Sequence, residues 1–294
     1  MQADGIPGRG RRHNGHGQPL RRWDGRCPRG PVKARAGLRK ERAAGGPILT
    51  LGRKEGGGKP AAGWEHCRQQ EGDIALLRFE EIKRNEEIRT YIACADASLV
   101  ALGYTEHSFA HVGSVAETAG YLLETLGYPP HEVELARIAG YLHDIGNLVN
   151  RVDHSQSGAV MAFALLRDMG ADPDEIATIV TAIGNHDEGT GVAVNPVAAA
   201  LILADKSDVR RSRVRNGDTA QFDIHDRVNY SVKKSQLKIN EDRTLVKLKL
   251  TVDTKFGSLM DYFEIFLNRM ILCRKAAETL GLQFKLIINE QQFI

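Results

Sequence analysis

The 294-residue chain lacks a long apolar run and closely paired cysteines. Its richest apolar stretch, residues 197–204, is much shorter than the roughly 18 to 20 residues that a membrane-spanning helix needs. The four cysteines are widely spaced and form no Cys-x-x-Cys pair, which argues against a zinc ribbon. Arginines near the N-terminus are not followed by the apolar segment of a secretory signal. We therefore expect a cytoplasmic protein without a membrane partner.

Large aliphatic residues are scarce in residues 1–72, which hold 16 of the 30 glycines. This tail has 16 Lys or Arg and 6 Asp or Glu, a net charge of +10, so the rest carries −7 of the total of +3. Such a composition buries too little surface to offset chain entropy, and we predict disorder. The tail is either a basic arm for nucleic-acid phosphates, with Trp23 and Trp64 to stack on bases, or a leader from a misassigned start. We expect no nucleic-acid partner outside it.

Between about residues 74 and 210 the apolar residues recur with the period of a helix. The first clear stripe comprises His111, Val115, Ala119, Leu122 and Leu126. Gly127 is expected to end that helix, and Pro129 and Pro130 to begin the next. A third helix is expected to begin near His154. The pattern predicts an all-helical body over residues 73–221.

Two later helix starts are marked by capping residues. Asp172 precedes Pro173 and is followed by Glu175, which is the order of an N-cap, a first-turn proline and a capping-box glutamate. Asn195 and Pro196 begin a fifth helix in the same way.

After about residue 222 the period changes to two. Residues 246–252 alternate apolar and polar, with Lys247 and Lys249 on the solvated side of a strand. Residues 240–243 are expected to turn a hairpin, residues 263–277 to form a helix, and residues 284–288 a third strand. We predict a small α+β region over residues 222–294, with three short strands and one helix, whose role stays open between completing a cleft and forming a homodimer.

The dipeptide His-Asp occurs three times, at residues 143, 186 and 225, and by itself selects none of them. Only His143 and Asp144 lie within an apolar helical sequence, where unpaired polar groups would be unfavourable. A metal site needs several imidazoles and carboxylates that converge from different helices. The alternative is a buried ion pair. We interpret His225 and Asp226 as structural, with the lining of a substrate cleft as the alternative.

Four further polar residues fall on the inward faces of successive helices. They are His111, His154, His186 and Asp205. Imidazoles and carboxylates are the ligands that divalent cations prefer in such sites. For His154 and His186 the alternative is a histidine that simply occupies a helix end.

The order of these residues resembles the HD superfamily of metal-dependent phosphohydrolases. The likeness covers roughly residues 85 to 210 and rests on His111, the pair in Leu142-His143-Asp144-Ile145-Gly146, and Asp205 in Leu203-Ala204-Asp205-Lys206. The resemblance implies a helical bundle, hydrolysis of phosphate esters by a metal-activated water, and primary metal ligands at His111, His143, Asp144 and Asp205. Members with two further histidines bind two metals, which would make His154 and His186 ligands and Asp144 a catalytic bridge. The metal could be Mn, Fe, Co, Mg or Zn.

Several positions depart from particular subfamilies. The paired histidines and Gly-Tyr-Pro of the cyclic-di-GMP enzymes are absent around residues 185–191, and the alarmone hydrolases have an acidic pair where this chain has Asn147 and Leu148. Asn147 also replaces a lysine that many relatives use near phosphate. Substrate phosphate would then need other cations, and Lys206, Arg151 and Arg211 are the nearest in sequence. His107, four residues before His111, is a candidate supporting group or proton donor on the same helical face.

The leading hypothesis is an enzyme that hydrolyses a small phosphorylated compound, with a nucleotide as the expected example, using one or two divalent cations. The alternative is a non-catalytic module that binds a nucleotide and signals through the C-terminal region. Turnover separates the two, because the sensing module would bind the nucleotide without forming product.

Overall fold

The computed structural model describes residues 76–215 and 222–293. The predictions made for the tail, residues 1–72, lie outside these residues. The helices of the first part are α1 (Phe79–Arg84), α2 (Glu86–Leu102), α3 (Phe109–Leu126), α4 (Pro130–Leu142), α5 (His154–Asp168), α6 (Pro173–Gly184) and α7 (Pro196–Ser207). A short 3-10 helix, Ile145–Leu148, follows α4. The predicted all-helical body is confirmed.

The helix boundaries follow the capping residues. Asp172 accepts a hydrogen bond from the backbone of Asp174, and Asn195 caps α7 in the same way through Ala198. Gly127 ends α3 with a φ of 85°, in the left-handed region that glycine adopts without strain. The expected capping box at α6 is wrong, because the buried carboxylate of Glu175 accepts hydrogen bonds from the backbone of Leu77 instead.

The apolar run of residues 197–204 forms the central helix of the bundle. Every residue of this run is at most 1% exposed, so α7 is buried on all sides. It packs against α3, α4 and α6 and, on another side, against the C-terminal helix α9 (Leu259–Thr279). Among the described residues, no helix combines the length and the apolar character needed to cross a bilayer. The central position of α7 matters because Asp205 lies near its end.

The C-terminal region is a four-stranded sheet with two helices. Its strands are β1 (Val232–Ile239), β2 (Leu245–Val252), β3 (Gln283–Ile288) and β4 (Gln291–Gln292), in that spatial order. β1 and β2 form the expected hairpin, and β2 pairs in parallel with β3 across a connection that contains α9. The α+β prediction is confirmed. The structure adds two elements to the three strands and one helix that were predicted. These are β4, too short to show a period, and the polar helix α8 (Ile224–Ser231).

Candidate metal centre

Six polar side chains from successive elements meet inside the helical bundle. His111 lies in the first turn of α3, His143 and Asp144 directly follow α4, and His154 is the first residue of α5. His186 follows the end of α6, and Asp205 lies in the last turn of α7. Five of the six residues are buried, and the side chain of Asp205 is 12% exposed. The structure thus brings together all six residues that the sequence singled out as metal ligands.

The two carboxylates lie among the four imidazoles. Asp144 Oδ2 is 3.4 Å from His111 Nε2 and 3.2 Å from His143 Nε2. Asp205 Oδ1 is 3.4 Å from His111 Nε2 and 3.6 Å from His143 Nε2. The ligand atoms of His111, His143 and Asp205 lie within 4.8 Å of one another, as do those of His143, Asp144 and His186. Each of these two groups is compact enough to surround one ion.

Asp144 directs its two oxygens to different parts of the cluster. Whereas Oδ2 faces His111 and His143, Oδ1 lies 3.5 Å from His154 Nε2 and accepts a hydrogen bond of 2.9 Å from Asn147 Nδ2. His154 Nε2 lies 3.2 Å from His186 Nε2. The carboxylate of Asp144 thus lies between two sets of imidazoles.

The four imidazoles are oriented by partners at their other nitrogen. His143 Nδ1 lies 2.8 Å from the Gly140 carbonyl oxygen, and His186 Nδ1 lies 2.6 Å from that of Ile183. His154 Nδ1 similarly lies 3.1 Å from the Arg151 carbonyl oxygen. Because a carbonyl only accepts, these Nδ1 atoms carry protons, and each ring directs its Nε2 into the cluster.

His111 differs from the other three because its Nδ1 partner is a carboxylate. Asp208 Oδ2 lies 2.7 Å from that nitrogen. The carboxylate of Asp208 also accepts a hydrogen bond of 3.0 Å from Arg210 Nε. A carboxylate on the far nitrogen raises the basicity of a metal-binding imidazole. His111 is thus the one of the four whose Nδ1 partner carries a negative charge.

The cluster fits a divalent cation. The Nε2 atoms of His111 and His143 are buried and have no hydrogen-bond partner, since the nearby carboxylates are close but not in hydrogen-bond geometry. Buried nitrogens without partners are rare in folded proteins. Imidazole nitrogens and carboxylate oxygens together suit Zn, Mn, Fe or Co.

The electrostatics of the cluster also favour a cation. Burial raises the pKa of Asp144, but the neighbouring imidazoles of His143, His107 and His111 together outweigh this and hold that pKa well below its ordinary value. Burial lowers the pKa of His143, but the charges and hydrogen bonds of Asp144 and Asp205 together raise it to about 10. The site therefore attracts positive charge, and a divalent cation would compete there with protons.

A cavity of about 260 Å³ lies beside the cluster, between the helical body and the C-terminal region. Its wall includes His107, Arg151 and Arg213 from the first part of the chain, and His225, Asp226 and Arg269 from the second. The interpretation of His225 and Asp226 as merely structural is thus revised, because α8 places both on the cavity wall. Sequence reasoning missed this placement, because the short helix α8 carries only two aliphatic residues, Ile224 and Val228.

The predicted phosphate-binding residues have different surroundings. Arg151 lines the cavity, 3.8 Å from Asp144 Oδ1. Lys206 is buried and paired with Asp205 and Glu188, each at 2.7 Å, so its charge is already neutralised. Arg211 is not on the cavity wall, because its guanidinium lies over the rings of Tyr230 and Phe256. Of the three, only Arg151 lies on the cavity wall.

His107 lines the cavity but does not share a helical face with His111. Ser108 caps α3 by accepting a hydrogen bond from Ala110, so His107 precedes the helix. Its ring nevertheless lies 5.6 Å from that of His111, and its Nδ1 is 2.7 Å from the Thr105 carbonyl oxygen. Burial lowers the pKa of His107 well below its ordinary value.

Four functional candidates escaped sequence reasoning. Asp208 follows Asp205 by three residues, a helical spacing that could have revealed it. Arg213 occupies the cavity wall from the segment after α7, and Glu188 and Arg269 meet only through the fold. Neither a motif nor a period marks these three positions.

Comparison with known proteins agrees with this geometry. Residues 108–215 match the model of the HD domain, and all six residues of the ligand cluster fall within this range.

Three individual proteins show how far the similarity extends. An uncharacterised protein of Methanocaldococcus jannaschii is 26% identical over 58% of this chain and 75% of its own length. Ribonuclease Y 1 of Pediococcus pentosaceus is 32% identical over 42% of this chain, and the match spans only 22% of that relative. A crystal structure of a predicted HD superfamily hydrolase from an uncultured Thermotogales bacterium is 27% identical, with a TM-score of 0.34, over 45% of this chain and 73% of that one.

Proposed function

We propose that this protein is a metal-dependent phosphohydrolase that cleaves a phosphomonoester or phosphodiester bond of a small molecule such as a nucleotide. The observation that carries the proposal is the buried cluster of four imidazoles, whose Nε2 atoms converge on Asp144 and Asp205. The complete ligand set favours an enzyme over a sensing module, since a module without turnover has no need of it.

The residues that would hold the cations fall into two overlapping groups. His111, His143 and Asp205 form one, and Asp144 and His186 join His143 in the other, with His154 adjacent. A divalent cation supplies Lewis acidity at phosphoryl oxygens and lowers the pKa of water towards neutrality. The protein contributes orientation, because the Nδ1 hydrogen bonds fix each imidazole before the cation binds.

The cavity beside the cluster supports a small anionic substrate. Arg151, Arg213 and Arg269 lie on its wall, although Arg269 is paired with Glu188, and guanidinium is suited to bidentate contact with phosphate. Its volume of about 260 Å³ is close to the lower end of the range of small-molecule sites. The name of the ribonuclease Y relative also points to a phosphorus ester, although the match covers a minor part of that protein.

The experiment combines metal analysis with turnover. Metal content is measured on the purified full-length chain, which is then assayed with Mn, Mg, Co, Fe or Zn against a panel of nucleotides and phosphoesters. Asp144→Asn, which keeps the side-chain shape but loses the charge, should abolish turnover. Asp242→Asn, at an exposed position in the β1–β2 turn, is the matched control and should be fully active.

Full activity of the Asp144→Asn protein under the same metal supply would contradict the proposal. Tight nucleotide binding by calorimetry without any product would instead favour the sensing module.

A further inference from the structure

A line of four alternating charges connects the C-terminal helix with the candidate metal centre. Arg269 of α9 donates a hydrogen bond of 2.8 Å to Glu188 Oε1. The other oxygen of Glu188 is 2.7 Å from Lys206 Nζ, and Lys206 Nζ is 2.7 Å from Asp205 Oδ2. The two cations and two anions sum to zero charge.

The last member of this line is Asp205, and its two carboxylate oxygens have different contacts. Oδ1 faces His111 and His143, whereas Oδ2 is held by Lys206. The carboxylate therefore presents one defined oxygen to the cluster. If Lys206 moved away, Asp205 could rotate and this orientation would be lost.

Lys206 does not hold this position through its own helix. Neighbouring residues of a helix point in different directions, so Lys206 does not face Asp205 without an additional constraint. The constraint is Glu188, which binds the ammonium from the segment after α6. The side chain of Lys206 is only 6% exposed, so loss of this partner would leave a buried charge with one counterion.

Glu188 in turn depends on α9, because it lies outside any helix or strand. Arg269 fixes it with a guanidinium group that also packs over the ring of Phe266, 4.8 Å away. Phe266 is only 1% exposed, so this end of the line is anchored in the core.

We infer that Arg269 and Glu188 are positioning residues for the metal ligand Asp205, acting through Lys206. The C-terminal region would thereby contribute to metal affinity without supplying a ligand. The inference rests on the proposed function, because it takes the six-residue cluster as a metal centre.

The test measures Mn²⁺ affinity of the full-length chain after removal of metal with a chelator, so that it does not depend on turnover. Glu188→Gln keeps the side-chain shape and should weaken Mn²⁺ binding about tenfold or more, which is typical when the group that orients a ligand is lost. Arg269→Gln should have an effect of similar size. The double variant should lose little more than either single variant, because both residues act on the same carboxylate.

Two exposed residues of α9 provide matched controls. Arg274→Gln and Glu278→Gln remove the same charges from the solvent side and should leave Mn²⁺ affinity unchanged. Urea unfolding of every variant in the absence of metal shows whether the fold is retained, and Glu188→Gln alone suffices if Arg269→Gln does not fold.

Unchanged Mn²⁺ affinity in Glu188→Gln would overturn the inference, and so would losses that add fully in the double variant. These failures differ from failure of the proposed function, in which the wild-type chain itself would bind no Mn²⁺ or would show no turnover.

Discussion

Gly146, two residues after Asp144, should not tolerate even a methyl group. A Cβ at this position would lie closer than 3.0 Å to the carbonyl oxygen of His154 and to the backbone nitrogen of Gly158, and real Cβ atoms essentially never approach so closely. Both atoms belong to the backbone of α5, so no side-chain rotation relieves the clash. In Gly146→Ala the start of α5 must move by on the order of 1 Å, since close-packed interiors leave no spare room.

The expected consequences follow from the position of His154 at that moving end. Overpacking of this kind destabilises a protein by about 1–3 kcal/mol, and a displacement near 1 Å can reduce catalysis about a hundredfold. The distance of 3.5 Å between His154 Nε2 and Asp144 Oδ1 would change. Urea unfolding should show the lower stability, and metal analysis should show less metal per chain than in the wild type.

Gly113→Ala is the matched control, because a Cβ there meets nothing within 4 Å. Gly113 lies inside α3, where replacing glycine by alanine should stabilise the protein by roughly 0.5–1 kcal/mol. Wild-type stability together with wild-type metal content in Gly146→Ala would refute the reasoning that this glycine sets the position of α5.

Three further predictions concern the ligand cluster. Asp208→Asn should weaken metal binding about 10- to 100-fold in a calorimetric titration, because His111 loses its charged partner. An unchanged Kd would show that Asp208 does not affect the metal affinity of His111. His154→Gln should lower the number of metal ions per chain while the group of His111, His143 and Asp205 still binds one ion, and an unchanged stoichiometry would exclude His154 as a ligand. Metal at about 100 times its Kd should stabilise the folded chain by roughly 2.7 kcal/mol, so a thermal midpoint that does not respond to chelation would argue against binding to the folded state.

Much of the helical body is encoded locally and could be predicted. Asp172 and Asn195 cap the helices that they precede, and Gly127 ends α3, because capping needs only a side chain and its neighbouring backbone. The candidate ligands could also be predicted, for a related reason. Their order along the chain resembles a family, and each lies at a fixed place relative to an apolar stripe.

The sequence by itself determined the main helices of the bundle, the hairpin and the set of six polar residues. Only the tertiary structure decided which charged side chains pair with other groups of the protein. Lys206 and Arg211, equivalent as candidate phosphate ligands in the sequence, are respectively bound to two carboxylates and stacked on aromatic rings. Ion pairs such as Glu188 with Arg269 join residues 81 positions apart, and no local period or propensity records such a contact. Local rules place side chains on faces, whereas only packing of those faces determines which charges meet.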